Sequence, residues 1–337
     1  MQLDWLRPTT FPNHDQIHDE ESGPGYVLRM CDVNLVQFCD ISNILGLTGF
    51  TYIPDNRIPE ICRLFGANHS NLAPRFVAQS KQSSVVTTFV LGHKLQKPYL
   101  ARQRHPQICP HCLASKRIVQ LAWDITLVTA CHIHHNQLID SCAQCGRKIT
   151  WRRSSLINCQ CGASFLPIHQ PSKLASKAEI YVSRLIWEKL FGIFELKNHS
   201  LSFLNNLQLD TALRLIWSFG QLEDDGRSLS VRPGKVPSTA IAGQVVQNGI
   251  ERIYKTLNHQ VKRRKLSSSI YINGIKQLKK DTPWDDQLKI QYLINLIVEK
   301  DLTTSKLPSL TTHNQLTLFG TSTHEKTLQT FNRPARY

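Results

Sequence analysis

The chain has 337 residues, enough for two or three domains, and its 41% hydrophobic content suits a globular protein in water. No apolar run approaches the ~20 residues of a membrane helix, and the opening MQLDWLRPTTFPNHD has neither the basic start nor the apolar core of a secretory signal. The formal charge of +15 is uneven, with net −6 over residues 1–60, +13 over 61–177 and +8 beyond, so the middle and C-terminal parts suggest a polyanionic partner such as nucleic acid; the competing reading is a solubilising surface.

Residues 1–22 are acidic and proline-containing and read as an irregular arm. From Gly25 the pattern turns helical, with Tyr26, Val27, Met30 and Val33 on one face. A second helix is expected to start near Asn34, to bury Leu35, Val36, Phe38, Cys39 and Ile41, and to end at Ile44-Leu45-Gly46-Leu47. Pro59 to Phe65 forms another short helix closed by Gly66, and Ser70 or Asn71 caps a further one through Phe76. Short helices joined by tight turns fit a helix-turn-helix-like module over 23–100. They fit a small helical bundle equally well, and the acidic balance favours a protein partner there. Residues 77–108 are polar, then basic, and end in Tyr99, Arg102, Arg104 and His105.

The most informative stretch follows, over 101–170. It reads CPHC at 109–112, CHIH at 131–134, CAQC at 142–145 and CQC at 159–161. Zinc takes four tetrahedral ligands, and a CxxC knuckle supplies two thiolates that a second knuckle completes. The simplest sequential grouping is Cys109, Cys112, Cys131 and His134, then Cys142, Cys145, Cys159 and Cys161. An interleaved pairing remains open on spacing, as do His132 and His135 as substitute ligands, although neither has the CxxH spacing. The sets are full and rich in thiolate, which points to two structural zinc ions per chain; a catalytic zinc keeps an open position. With metal bound the formal charge falls to about +12, because ligating thiols are deprotonated. A disulfide framework is the alternative, and it demands an oxidising compartment. With seven of the ten cysteines in the knuckles, a reducing compartment is expected. Cys31, Cys39 and Cys62 then read as small core residues.

Between the knuckles, Trp123, Ile125 and Leu127 read as finger core. Arg147, Lys148, Trp151, Arg152 and Arg153 cluster between Cys145 and Cys159. A tryptophan among cations fits a nucleic-acid contact through phosphate pairing and base stacking, or a solvated loop with one apolar anchor. Arg102 and Arg104 belong to the same candidate surface.

Beyond Cys161 the chain is helical, over 171–302. Helices are expected at Ala178–Phe194, Leu209–Leu222, and from Pro237-Ser238 to about Leu257. The basic run Lys262, Arg263, Arg264 and Lys265 is a further nucleic-acid candidate. Thr282 is expected to cap a last helix, with Pro283 in first position, that runs to about Glu299. Paired helices suggest a second helix-turn-helix-like domain. Residues 303–337 are polar and threonine-rich and read as disordered. Within them Gln315, Leu316, Leu318 and Phe319 resemble the short peptide with which bacterial replication and repair proteins dock on the sliding clamp; a chance match or apolar residues folding back are the alternatives. The fold class is thus mainly α, with an N-terminal helix-turn-helix-like module, tandem zinc fingers and a helical C-terminal domain.

Taken together, GYVLR at 25–29, CPHCL at 109–113, Trp123, CHIHHNQL at 131–138, CAQCG at 142–146 and CQCG at 159–162 resemble the TniQ/TnsD family, the target selectors of Tn-seven-like transposons. The likeness covers roughly residues 20–170. It implies a protein without catalysis, with tandem zinc fingers, a helical C-terminal domain and dimerisation. The short C-terminal part resembles the CRISPR-associated branch, in which the protein joins an RNA-guided Cascade-like effector to the AAA+ transposition regulator. Direct reading of an attachment sequence, as in the TnsD type, is the second hypothesis. A third, from another class, is a metal-dependent nuclease built on CHIHHN. Such chemistry needs carboxylates to hold magnesium, and residues 61–177 contain only Asp124 and Asp140.

Overall fold

In the computed structural model, which describes residues 10–82, 85–170, 173–193, 201–229, 234–258 and 269–298, the segment before the first helix is irregular but not a loose arm. Phe11 is buried and stacks on Phe65, their ring centroids 5.3 Å apart. Helix α1 (Gly23–Val33) clips the rest. Arg29 donates from Nε and Nη2 to the two oxygens of buried Glu21 at 2.8 and 2.9 Å, from Nη1 to Asp15, and from Nη2 to the carbonyl of Gln16. Tyr26 donates its hydroxyl to the carbonyl of Asp15 at 2.8 Å. A two-point guanidinium–carboxylate pair is strong and directional, so GYVLR acts here as a fastener for a strap. Ser22, its Oγ accepting from Gly25 N, caps α1 just where the strap ends.

Several boundaries differ from expectation. The second helix, α2 (Phe38–Ile44), starts after Gln37 and not near Asn34. Asn34 closes α1, and Leu35 takes a left-handed φ of 56° and is 94% exposed. Asp40 Oδ2 accepts from Gln37 N at 2.8 Å and fixes the later start. Val33 is exposed and Cys39 and Cys62 are half-buried; only Cys31 of the three spare cysteines is core. Helix α3 (Ile58–Phe65) buries Ile58, Ile61, Leu64 and Phe65 and ends at Gly66 as expected. Helix α4 (His69–Leu72) is capped by Asn68, not by Ser70 or Asn71, and gives way to a three-ten turn at Ala73–Arg75 containing Pro74.

Residues read only as polar form a three-stranded antiparallel sheet, β1 (Ala78–Gln82), β2 (Val85–Val90) and β3 (His93–Leu95), with Ala78 opposite Phe89 and Phe89 opposite Lys94. The signal was the β-branched run from Val85 to Val90. The cysteine-rich segment follows. It has one helix, α5 (Pro110–Lys116), and is otherwise held by isolated bridges such as Ile108 with Ile139 and Ala130 with Gln137. Trp123, Ile125 and Leu127 are buried in it, as expected.

The C-terminal part is helical: α6 (Lys177–Phe191), α7 (Ser202–Asn205), α8 (Leu209–Gly220), α9 (Thr239–Leu257), α10 (Ile272–Asp281) and α11 (Trp284–Val298). Helices α8 and α9 touch backbone to backbone. A Cβ on Gly220 would lie 1.9 Å from the carbonyl oxygen of Val245, and one on Gly249 would lie 2.5 Å from that of Ile216. Helix α10 was not expected. Thr282 instead closes α10, its hydroxyl donating back to the carbonyl of Lys279; the carbonyl of Pro283 accepts from Asp286 N and Gln287 N just before α11, and buried Asp286 accepts from Gln208 N at the start of α8. The basic run Lys262, Arg263, Arg264 and Lys265 and the peptide Gln315, Leu316, Leu318 and Phe319 lie outside the described residues.

The cysteine-rich segment is joined to the helices by buried polar contacts. Glu179 is the hub. Its Oε1 accepts from Thr129 and from Gln137, and its Oε2 from Ser176 at the head of α6 and from Gln247 on α9. Thr239, the first residue of α9, donates its N–H to Asp140 and its hydroxyl to Gln107.

Candidate metal centres and basic surface

Each knuckle is a tight turn that aims its sulfurs at one point. In the first, Cys109 precedes α5 and Cys112 sits in its opening turn, so one helical turn brings both sulfurs to the same side. The opposing turn has Cys131 accepting from His134 N through its sulfur at 3.4 Å, while His135, at φ 58°, donates its N–H to the carbonyl of Cys131. In the second set, Gly146 and Gly162 follow the cysteine pairs at φ 67° and 88°, and their N–H groups return to the carbonyls of Cys142 and Cys159. Left-handed backbone at both positions explains CAQCG and CQCG.

The ligand atoms of Cys109, Cys112, Cys131 and His134 lie within 4.8 Å of one another, and so do those of Cys142, Cys145, Cys159 and Cys161. The sequential grouping is therefore the one that the fold assembles, and the interleaved pairing is not. His132 packs its ring on Trp187 at 5.0 Å, and His135 is exposed; neither joins a cluster.

The distances test whether a metal fits. Metal–sulfur bonds of about 2.3 Å and a metal–nitrogen bond of about 2.0 Å give a tetrahedron with sulfur–sulfur edges of about 3.8 Å and sulfur–nitrogen edges of about 3.5 Å. Cys142 and Cys161 are 3.8 Å apart at sulfur, as are Cys145 and Cys159. In the first set Cys112 and Cys131 are 3.5 Å apart, and His134 Nδ1 lies 3.6, 3.2 and 3.5 Å from the sulfurs of Cys109, Cys112 and Cys131. All of these exceed the ~2.05 Å of a disulfide, and all ten cysteines are free thiols. Both clusters thus have the size and donors of a closed tetrahedral site, so each could hold a metal ion.

The local electrostatics favour the thiolate form unevenly. In the first set Cys131 is pulled down by hydrogen bonds with Cys109 and Cys112, whereas Cys112 is pushed up by its bonds to Cys109 and Cys131. A dication would replace those shared protons, since thiolate is the ligating form. In the second set the Arg147 guanidinium, hydrogen-bonded to Cys145, brings that thiol down to about 6.

The basic candidates separate into two groups. Arg104, Arg147 and Lys148 are exposed and Arg152 is half-buried. Trp151, Arg153 and Arg102 are not surface groups, which corrects their reading as direct contacts. Trp151 has no exposed surface and donates its indole N–H to the carbonyl of Gln103 at 2.8 Å, so no base can stack on it. Arg153 is buried between the rings of Trp151 and Phe165 and donates to the carbonyls of Thr150, Ser155 and Leu156; burial brings it down to about 10. It holds the second finger's loop together from within. Arg102 is 2% exposed and donates from Nη2 to the carbonyl of Pro237. Sequence alone cannot separate such buried arginines from exposed ones inside one basic run. Two residues that reading along the chain did not select are Glu179, the hub, and Lys235, which lines a cleft with Arg104 and Lys148.

No helix among the described residues is long and apolar enough to cross a membrane. No curated protein matches the chain. Residues 12–138 match the TniQ family model, a span that runs from the strap through the first ligand set and stops short of the second. The strap, α1 to α5 and the first knuckle pair thus form the part of the chain that is similar to the TniQ family.

Proposed function

We propose that the chain is a non-catalytic adaptor in transposition target selection, linking a guide-RNA-loaded, Cascade-like CRISPR effector to the AAA+ regulator and through it to the transposase. The TniQ match over residues 12–138 carries this reading. Its working parts are the helix-turn-helix-like module of residues 23–100, the tandem fingers of 101–170 with one zinc ion in each cluster, and the helical domain of 171–302. The active form is a homodimer. The chemistry of the fingers supports a structural use of metal, because both ligand sets are complete without water. A nuclease draws no support from the carboxylates. Asp124 is fully buried, which pushes its carboxyl well above the usual range, and Asp140 accepts from Thr239 N.

The test is reconstitution with effector, guide RNA, regulator and transposase. The expected result is insertion at a fixed distance from the guide-specified target, with the chain co-purifying with the effector and showing little preference among duplex sequences. Insertion at one attachment site whatever the guide, with that site bound ~10³-fold more tightly than random duplex, would establish the TnsD-type selector instead.

A further inference from the structure

A cleft of about 480 Å³ lies where five parts of the chain meet. Tyr52 comes from the N-terminal module, Gln79 from β1, Arg102 and Arg104 from the approach to the first knuckle, Lys148 from the second finger, and Lys235 from the loop before α9. Arg104, Lys148 and Lys235 are exposed cations, and no carboxylate lines the cleft among the described residues. Arg102 is different in kind. Its guanidinium is buried in the cleft wall, and its Nε and Nη1 make no hydrogen bond among the described residues. The nearest carboxylate, Asp140, is 3.7 Å from Nη1 and already accepts from Thr239. Those two nitrogens are closed to solvent, so Arg102 adds positive charge behind the cleft, and the three exposed cations at its mouth offer the contacts to an anion.

The shape says which anion. A duplex presents its phosphates on a convex, regular surface, which exposed lysines and arginines meet without a recess. A recess large enough for a nucleotide, with a sunken guanidinium and a mouth of three cations, suits a strand that can turn one unit inward. Tyr52 and Arg104 add a stacking platform, with the guanidinium 5.5 Å over the tyrosine ring. Arginine planes and tyrosine rings are the groups on which unpaired bases stack. An acidic peptide could reach the cations but has no use for that platform.

We infer that this cleft binds single-stranded nucleic acid, seating one unpaired nucleotide with its phosphate on Arg104 and Lys235 and its base on the Tyr52–Arg104 pair. The inference rests on the nucleic-acid side of the adaptor reading but needs neither effector nor transposase. It assigns Lys235 a role that the basic clusters in the sequence do not suggest.

The experiment is fluorescence anisotropy of the full, zinc-loaded chain with a labelled 12-nucleotide oligouridylate, and with a 12-base-pair duplex as comparison. Arg104→Glu with Lys235→Glu should weaken single-strand binding at least 10-fold at unchanged zinc content and melting temperature. The control of equal charge change is Lys276→Glu with Lys280→Glu on α10, which should weaken it less than 3-fold. Tyr52→Ala should weaken it about 10-fold, a loss that charge alone does not predict. Equal losses from the cleft and control pairs, duplex binding as tight as single-strand binding, or displacement of the oligonucleotide by oligoglutamate as readily as by unlabelled oligouridylate would each overturn the assignment. Because the assay contains only this chain, its failure leaves guide-directed insertion to be judged by reconstitution alone.

Discussion

The two ligand sets use one chemistry in opposite surroundings. Cys109, Cys112 and Cys131 have no exposed surface. The second set has Cys161 exposed and Cys145 half-buried, with the cations Arg147 and Lys148 beside it. The first lies inside the span matched to TniQ and the second outside it. Embedding decides what a metal does for a protein. Where ligands are in the core, ordering them orders the elements around them; where they are at the surface, the same bonds fasten a local loop. The first set is tied to α6 and α9 through Thr129, Gln137 and Glu179. The second is fastened to the rest by contacts such as Asp32 Oδ2 accepting from Leu156 N and Trp151 donating to the carbonyl of Gln103.

The sharpest way to break this contrast is to remove one ligand from each set. Metal binding in sites of this kind is worth on the order of 10 kcal/mol, comparable with the whole stability of a domain. Cys112→Ser should therefore abolish cooperative unfolding and leave an aggregating chain. Cys161→Ser should lose one zinc ion per chain and keep the helical circular dichroism and a cooperative transition. If Cys112→Ser stays folded and melts cooperatively, or if Cys161→Ser unfolds everything, the difference in embedding has no energetic meaning.

A second comparison removes the polar ties and leaves the metals alone. Glu179→Ala strands donors on Thr129, Gln137 and Gln247 and the head of α6. The cost should be about 2–3 kcal/mol, seen as a lower midpoint in urea. Gln170 is the nearest counterpart in the second finger, buried, accepting from Ala143 N and donating to the carbonyl of Ser164. Gln170→Ala should cost about 1 kcal/mol or less of global stability. Equal costs would mean that both fingers are integrated to the same depth.

Arg147→Ala probes the second set's surroundings. Its guanidinium lowers Cys145, and neighbours that tune a ligand typically alter metal affinity 10–100-fold. Zinc should leave the second site to a chelator at least 10-fold faster, while the first site's release is unchanged. Equal release from both sites in variant and parent would remove Arg147 from the metal site's support.

Much of this was legible in the sequence because the signals are local. Knuckle spacing needs only a few neighbours, and the sequential ligand sets follow from it. Ser238 marks a helix start, and Gly66 a helix end, through chemistry within one turn. What failed is non-local. Trp151 and Arg153 read as surface groups because a run of cations looks solvated until the loop folds around Phe165. Leu35 and Val33 read as core because periodicity carries no record of a helix ending at Asn34. Thr282 has the chemistry of a cap but spends its hydroxyl on the preceding helix. The cleft was invisible for the same reason, since Tyr52, Arg104, Lys148 and Lys235 are distant in sequence and meet only in the fold.

The smallest expected effect concerns His105, which sits between the two regions. It lies four residues before Cys109, and its Nδ1 is 3.4 Å from the carbonyl of Ile149 in the second finger. Burial lowers its pKa, and the cations Lys148 and Arg102 act the same way against a weaker opposing pull from Ile149 and Asp140. The folded chain therefore holds it neutral at a pH where the unfolded chain protonates it. The sign follows from linkage: this contribution is fully present above the unfolded value of about 6.5 and is lost as pH falls from there through the folded value. One half-buried group sets a modest scale, below the ~1.4 kcal/mol per pH unit of a whole proton. With zinc saturating, the melting temperature of the parent should fall more between pH 7.5 and 6.0 than that of His105→Gln, which keeps a donor for Ile149 and cannot titrate. Acid loss of metal is common to both proteins and cancels in the difference. Identical pH slopes would show that the contact between the two regions carries no linked proton, and that the second finger is held by Asp32 and Trp151 without help from this histidine.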